Sequence, residues 1–471
     1  MKENIFRQYD IRGKVDSELN LDQVYDLGLA IAFYFIENKP DIKTVAIGMD
    51  GRTHSPIIKD SLSKAIMDSG LDVVFIGICP TPVVHFSLHE KVWDKKIDAG
   101  LMITASHNPK EYNGIKISLG SKSIWGQEVQ KIKSLFINKK KAISSIPGKY
   151  YEIEVISKYI DWLKEHFKML IGSDISAVVD SGNGVGGTVM PQLIEKMGWK
   201  NVQSIFDTVD GNYPNHEADP TIEENMSFVK NILATTDVQV GIGFDGDCDR
   251  MAPMTKSGEL VTGDKLLAVY AEPILKKQKG AVVICDIKAS SGLEEIVESM
   301  GGRVVLVPSG VSNIKTNMIE LNSPLGGELS CHFFFTDRHF GFDDAFYAMM
   351  RLFEIMVSTG ENLGELISVF PKKISTQEIR MECVDSKKGE IVESVKLLFE
   401  KNHDAKIITT DGVKVVMSYG WGILRASNTQ PVLSLRFESS TQEGLDKIRG
   451  DFLKAMSPYF EEKFLKEQLF I

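Results

Sequence analysis

Cysteine is scarce and unpaired. The five in 471 residues, Cys79, Cys248, Cys285, Cys331 and Cys383, share no repeated spacing. That argues against a disulfide framework or a zinc site and suits a reducing, cytoplasmic setting. Long apolar runs are also missing. The longest, Leu27 to Ile36, is closed by Asp26 and Glu37 and falls well short of the ~20 residues of a membrane span, so a buried helix is expected there. The N-terminus, Met1-Lys2-Glu3-Asn4-Ile5-Phe6-Arg7, lacks the apolar core of a signal peptide. Basic excess is absent too: 54 Lys and Arg against 64 Asp and Glu give a net charge of −10. This speaks against a general nucleic-acid or anionic-membrane partner, so any phosphate must be met by local cationic clusters. No low-complexity tract interrupts a composition that is 43% hydrophobic and 25% charged, as in ordinary folded proteins.

What is present is a repeated plan. A β-branched run ends in Asp and a small-residue loop, a helical stretch follows, and a second apolar strand closes the unit. Val45 to Gly51, Ala177 to Gly182 and Val282 to Asp286 open the three copies; Val73 to Ile78, Ser204 to Phe206 and Val304 to Val307 are the returning strands. Alternation of strand and helix predicts three related α/β domains with mostly parallel sheets. After Pro371 the pattern changes to a strand (Glu378 to Cys383), a helix (Gly389 to Lys401), a hairpin about Asp411-Gly412, strands near Gly422 to Leu424 and Val432 to Leu435, and a helix from Glu443 to Met456. That predicts a smaller α+β domain with an antiparallel sheet. The expected domains are 1–150, 151–254, 255–370 and 371–471.

The densest chemistry lies in Gly241 to Arg250, where Asp245, Asp247 and Asp249 alternate directly after the apolar run Val238 to Phe244. Carboxylates about 6 Å apart repel by roughly 3 kcal/mol per pair at an effective dielectric near 20, so such a loop must splay into water or hold a cation. The end of a buried strand is where open α/β sheets bind ligands. A helix-loop-helix calcium site is excluded, because it wants glycine sixth and glutamate twelfth and finds Arg250 and Lys256. Mg²⁺ with a phosphate oxygen fits the few ligands better.

Four other segments carry polar groups of interest. Thr104-Ala105-Ser106-His107-Asn108-Pro109 follows the apolar strand Ala99 to Ile103. Ser106 there either caps backbone amides or carries a phosphoryl group, which would require a base and a cation. His107 and Lys116 are candidate proton carriers or ordinary loop and surface residues. Arg425-Ala426-Ser427-Asn428-Thr429 gathers a guanidinium, two hydroxyls and an amide, suited to a phosphate monoester or to a polar turn. Glu328, Ser330 and His332 alternate, so on an extended segment they would share one side and could grip sugar hydroxyls, or simply form a half-polar strand.

In this order the segments resemble the α-D-phosphohexomutase family, and within it the phosphomannomutase/phosphoglucomutase branch. The likeness runs from Tyr9-Asp10-Ile11-Arg12-Gly13 through the Ser106 loop, the aspartate triad and the Glu328 loop to the Arg425 loop. It implies four domains around a central cleft and a mutase that exchanges phosphate between positions 1 and 6 of a hexose, mannose and/or glucose. By the same resemblance Ser106 is the phosphorylated residue, and it binds one Mg²⁺ per chain together with Asp245, Asp247 and Asp249. Lys116 and His107 assist proton transfer; Arg12 and Arg250 steady the transferring group. Tyr9, Lys288, Glu328, Ser330 and His332 contact the sugar, while Arg425, Ser427, Asn428 and Thr429 hold the distal phosphate. A hexose 1,6-bisphosphate is the implied activator, and the chain is expected as a monomer or homodimer.

The chain departs from the family pattern at three positions. Cys248 and Cys331 stand where glycine is usual, and Val311 stands where many relatives carry a substrate-contacting histidine. The alternatives are a phosphoglucosamine mutase, which Leu329 argues against, a phosphatase, and a catalytically idle sugar-phosphate binder.

Overall fold

The structure is a computed structural model that describes residues 1–427 and 432–470, the side chain of Asp385 excepted. The chain divides into two compact units, Met1–Tyr270 with Ser330–Ile367, and Ala271–Leu329 with Ser368–Ile471.

The first unit holds two mixed sheets. In one, the strands Ala99–Ile103, Thr44–Met49, Asp72–Ile78 and Tyr150–Glu152 run parallel, and Tyr112–Leu119 and Ile11–Lys14 add on antiparallel. The apolar run beginning at Leu27 lies in a helix, Val24–Asn38, buried over most of its length as expected. It packs on the helix Ser55–Asp68 at close range, because a Cβ at Gly28 would fall 2.6 Å from that of Ala65. In the other sheet, Val240–Phe244 lies between parallel Ala177–Asp180 and antiparallel Met251–Thr255, with Val202–Ile205 at the edge. All five residues of Val240–Phe244 are buried, which is why the strand reads as a continuous apolar run without alternation.

In the second unit Arg303–Val307, Val282–Asp286 and Leu325–Gly327 are parallel neighbours. The C-terminal sheet is antiparallel throughout: Ile374–Ser375 and Ile379–Glu382 pair end to end along one edge of Val432–Ser439, whose other edge meets Gly420–Ala426, followed by Val413–Met417 and Lys406–Ile408. The helices Asp385–Phe399 and Gln442–Met456 close its core through Val395, Ile448 and Phe452. Three α/β domains and an α+β domain are thus present, as the strand and turn pattern predicts.

One local expectation fails. Residues 328–332 are not extended; the chain turns at Leu329 and Ser330, with Cys331 in the left-handed region at φ 68°. The alternation of Glu328, Ser330 and His332 is therefore a coincidence of three residues and not a strand face.

Candidate active site

In the first unit three loops converge at the C-terminal ends of parallel strands. The Asp245 loop leaves Val240–Phe244, the Ser106 loop leaves Ala99–Ile103, and Thr81 follows Asp72–Ile78. Ser106 Oγ donates to Asp245 Oδ2 at 2.7 Å and lies 3.0 Å from His107 Nδ1. The loops touch through backbone: a Cβ at Gly246 would sit 2.5 Å from the Ser106 carbonyl oxygen. Only glycine permits that approach.

Asp245, Asp247 and Asp249 are buried and can each offer an oxygen within 4.8 Å of the other two. Asp245 Oδ1 accepts from the amides of Asp249 and Arg250, which curls the loop. Lys116, on Tyr112–Leu119, places its ammonium 2.6 Å from Asp247 Oδ2 and against Asp249. Arg250 Nε lies 3.3 Å from Asp245 Oδ2. Three carboxylates thus face two cations. Asp247 Oδ1 and Asp249 Oδ1 make no hydrogen bond among the described residues despite their burial. Oxygens of a Mg²⁺ shell, each about 2.1 Å from the ion, lie about 3 to 4 Å apart, so the triad would hold such an ion by drawing its three carboxylates together.

The electrostatics agree. Burial, then the charges of Asp249 and Asp247, push the Asp245 carboxyl well above the usual carboxylate range, a shift that a bound cation would oppose. Burial alone would lower the Lys116 ammonium, but Asp247 and Asp249 outweigh it and hold the group above its ordinary value. Lys116 is therefore a fixed cation.

A stability prediction follows from the sign of the Asp245 shift. Its folded pKa exceeds the unfolded one, so the stability it contributes is present at low pH and lost as pH rises through the folded value. Mg²⁺ removes that loss by pairing the charge. The gain in Tm from saturating Mg²⁺ over chelator should grow between about pH 5.5 and pH 8. Differential scanning calorimetry that finds an equal or smaller gain at the higher pH contradicts it.

The remaining residues proposed for the first unit lie as follows. Arg12 Nε reaches Asp10 at 2.8 Å and Arg12 Nη1 reaches Asn108 Oδ1 at 2.7 Å, so Arg12 is tied to the Ser106 loop. His332 Nδ1 is 3.1 Å from Asp343 and 3.7 Å from Asp249 Oδ1. Tyr9 is half-buried just before Ile11–Lys14, and Ser330 is half-buried in its turn.

The second unit gathers the other set. Lys288 lies 3.3 Å from Glu378 and 3.7 Å from Asp286. Burial raises the Glu378 carboxyl, but Lys288 and the Ser434 hydroxyl more than offset this and bring it to about 2. Glu328 Oε1 accepts from the Gly310 amide at 2.6 Å. Arg425 Nε donates to Asp411 Oδ2 at 2.7 Å, and the same oxygen accepts from the Ser309 amide at 3.1 Å. Lys388 donates to the Ser427 carbonyl at 2.6 Å. Asn428 and Thr429 lie outside the described residues.

Thr81, Asp343, Glu378, Asp411 and Lys388 join these groups without belonging to any of the polar motifs visible in the sequence. Thr81 donates to Asp247 Oδ2 at 2.5 Å. Its signal was available: Pro80-Thr81-Pro82 ends a parallel strand, where the sheet topology collects ligands.

Comparison with known proteins gives the same result along the whole chain. Four profiles of the phosphoglucomutase/phosphomannomutase family match in order: alpha/beta/alpha domain I at residues 3–142, domain II at 157–258, domain III at 262–374 and the C-terminal domain at 378–455. The phosphomannomutase/phosphoglucomutase of Pseudomonas syringae pv. tomato is 37% identical over 468 residues, 98% of each chain. The phosphoglucomutase of Neisseria gonorrhoeae is 35% identical over 95% of this chain and 96% of its own. A crystal structure of a phosphoglucomutase/phosphomannomutase family protein from Burkholderia thailandensis superposes with a TM-score of 0.89 at 31% identity, covering 97% of this chain and 98% of that one. With its domains in that order and its acidic loop facing Ser106, the chain belongs to the phosphoglucomutase/phosphomannomutase family.

Proposed function

We propose that this chain is a phosphohexose mutase that interconverts hexose 1-phosphate and hexose 6-phosphate, with mannose and glucose as the sugars, through a phosphorylated Ser106 and a hexose 1,6-bisphosphate. The observation that carries the reading is the 2.7 Å contact between Ser106 Oγ and the buried aspartate triad. The names of relatives about 35% identical over the full length support it.

Each residue acts through its position. The phosphoryl group leaves Ser106 Oγ for the free hydroxyl of a bound hexose monophosphate, and that hydroxyl loses its proton as the new P–O bond forms. His107, 3.0 Å from Oγ, takes up that proton and passes it to the Ser106 oxygen as the P–Oγ bond breaks, so the two hydroxyls exchange a phosphoryl group for a proton. Lys116, whose ammonium lies against Asp247 and Asp249, assists proton transfer at the reacting oxygens. Arg12 and Arg250 face the charge of the transferring group, in a reaction governed by positioning and electrostatics. Asp245, Asp247 and Asp249 with Ser106 would hold one Mg²⁺, which supplies charge neutralisation at the phosphoryl oxygens.

On this reading Arg425, Ser427, Asn428 and Thr429 anchor the phosphate that does not react, and Tyr9, Lys288, Glu328, Ser330 and His332 contact the sugar. The bisphosphate then exchanges its two ends before Ser106 takes a phosphoryl group back. A hexose 1,6-bisphosphate from solution would prime the enzyme. Val311 begins the helix Val311–Glu320 beside Gly310, whose amide holds Glu328. The identity of residue 311 therefore bears on which sugar is preferred. We place the enzyme in the cytoplasm as a monomer or homodimer with domains 1–150, 151–254, 255–370 and 371–471.

The test is direct. Purified protein with Mg²⁺, a trace of glucose 1,6-bisphosphate and the 1-phosphates of mannose, glucose and glucosamine in parallel should show the C1 phosphate resonance replaced by the C6 one in ³¹P spectra. Mannose and glucose phosphates should lead in kcat/KM. Release of inorganic phosphate in place of isomerisation, or no conversion of any of the three, overturns the proposal.

A further inference from the structure

We propose that Arg52 is the positioning residue of the phosphoryl carrier, a buried guanidinium clamp that holds the backbone of the Ser106 loop in the conformation that aims Oγ at the aspartate triad. The inference rests on the reading of Ser106 given above and adds a residue to it.

The starting observation is a conformational cost. Ser106 has φ 52°, the left-handed region, where an L-residue other than glycine is disfavoured by about 1–2 kcal/mol. Such a residue persists only where its surroundings overdetermine it. Local hydrogen bonds supply part of this. The Ser106 amide donates to Thr104 Oγ1 at 2.8 Å, and the Asn108 amide to the Ala105 carbonyl at 3.0 Å.

Arg52 supplies the rest. Its side chain is fully buried, and each of its five donors meets an acceptor. Nε donates to Asp50 Oδ2 at 3.1 Å. Nη1 donates to the carbonyls of Pro109 at 2.7 Å and Tyr112 at 3.1 Å. Nη2 donates to those of Ser106 at 2.9 Å and Asn108 at 2.6 Å. Four of the five bonds therefore go to main-chain oxygens between 106 and 112. Only a planar guanidinium presents five donors in a rigid fork; lysine offers three from a single atom.

The clamp is itself held in place. Asp50 Oδ1 accepts from the Arg52 amide at 3.0 Å and from Ser55 Oγ at 2.6 Å, which anchors it to the start of Ser55–Asp68. Asp50 also balances the buried charge, so the clamp adds no net repulsion toward a cation at the triad. The ring of Tyr213 lies 5.1 Å from the guanidinium, and its hydroxyl is 3.3 Å from the position a Cβ on Gly246 would take. One guanidinium thus lies under the Ser106 loop and beneath a ring that reaches the metal loop.

The test compares the full-length protein with Arg52→Lys by three readouts. In the parent, the amides of residues 104–112 should exchange slowly with deuterium; in Arg52→Lys they should exchange at least about ten times faster, with other strands unchanged. A misaimed serine should lower kcat, and the rate at which glucose 1,6-bisphosphate phosphorylates Ser106 by intact mass, about 100-fold, while KM stays within about threefold. Loop protection equal to that of the parent, or a parental kcat per phosphorylated molecule, overturns the proposal; so does a rise in KM without a fall in kcat. Should Arg52→Lys fail to fold, Tyr213→Leu removes the stacked ring and should give the same split at about tenfold; a parental kcat there overturns it equally. If the parent itself neither phosphorylates nor turns over, the functional reading falls, and the exchange measurement still decides on Arg52.

Discussion

Alanine at position 106 should reduce turnover at least about 10⁴-fold and leave the fold intact, because the hydroxyl is the only part of the side chain it removes and that hydroxyl is the proposed covalent carrier. The cost to stability should be small. Ser106 Oγ makes two polar contacts, and at least one partner, the Asp245 carboxyl, gains a cation when Mg²⁺ is present. The variant should still bind hexose phosphate, should give no mass shift with glucose 1,6-bisphosphate, and should melt within a few degrees of the parent. Normal conversion of glucose 1-phosphate by Ser106→Ala would mean that the phosphoryl group never resides on this residue.

The second large effect is expected at Asp245, with opposite signs on activity and on stability. Asp245→Asn removes a carboxylate whose ionised form is disfavoured by burial and by Asp249 and Asp247, so the amide costs the metal-free protein little. Its carbonyl can accept from the amides of Asp249 and Arg250, and its Nδ2 can donate to Ser106 Oγ. It no longer offers a charged ligand, so Mg²⁺ affinity should drop at least about 100-fold and kcat by about three orders of magnitude. In chelator at about pH 8 the variant should melt at or above the parent, and its Tm should lose the decline with pH predicted for the parent. Calorimetric titration with Mg²⁺ and paired melting curves check both signs. A variant that is both active and destabilised would place the cation elsewhere.

Both effects involve residues that were legible in the sequence, and the reason is local. The aspartates directly follow a strand buried on both faces, and such a strand writes itself as an unbroken apolar run. Ser106 likewise ends a five-residue apolar strand. The plan of the three α/β domains is readable for the same reason, since each carries a largely buried strand of that kind, Thr44–Met49, Ala177–Asp180 and Val282–Asp286.

Residues brought in by non-local packing were not legible. Arg52 lies 54 positions from Ser106 and Thr81 lies 166 from Asp247; the strand end at Pro80-Thr81-Pro82 marks a ligand-collecting loop, but nothing near either residue names its partner. Glu378 stands at the expected start of a strand, and its pairing with Lys288 and Ser434 reveals a polar task. The Glu328 to His332 segment was misread because three alternating residues do not specify a strand when the fourth, Cys331, adopts a left-handed turn. The helix Asp385–Phe399 begins four residues before the expected Gly389. That glycine lowers local helix propensity, and tertiary packing overrides it.

The two cysteines that replace expected glycines both take up left-handed backbone, at φ 59° for Cys248 and 68° for Cys331. These are the positions where a bare backbone would be easiest, so the departures cost each loop about 1–2 kcal/mol of backbone strain. Both sulfurs are sealed from solvent. Burial and the neighbouring aspartates push the Cys248 thiol well up, and burial lifts that of Cys331 to about 12. Neither therefore forms thiolate at neutral pH. Acidic neighbours and burial both work against the thiolate that peroxide and alkylating agents require, so iodoacetamide at neutral pH should label Cys248 and Cys331 slowly in the folded protein, and rapid labelling by intact mass would contradict it.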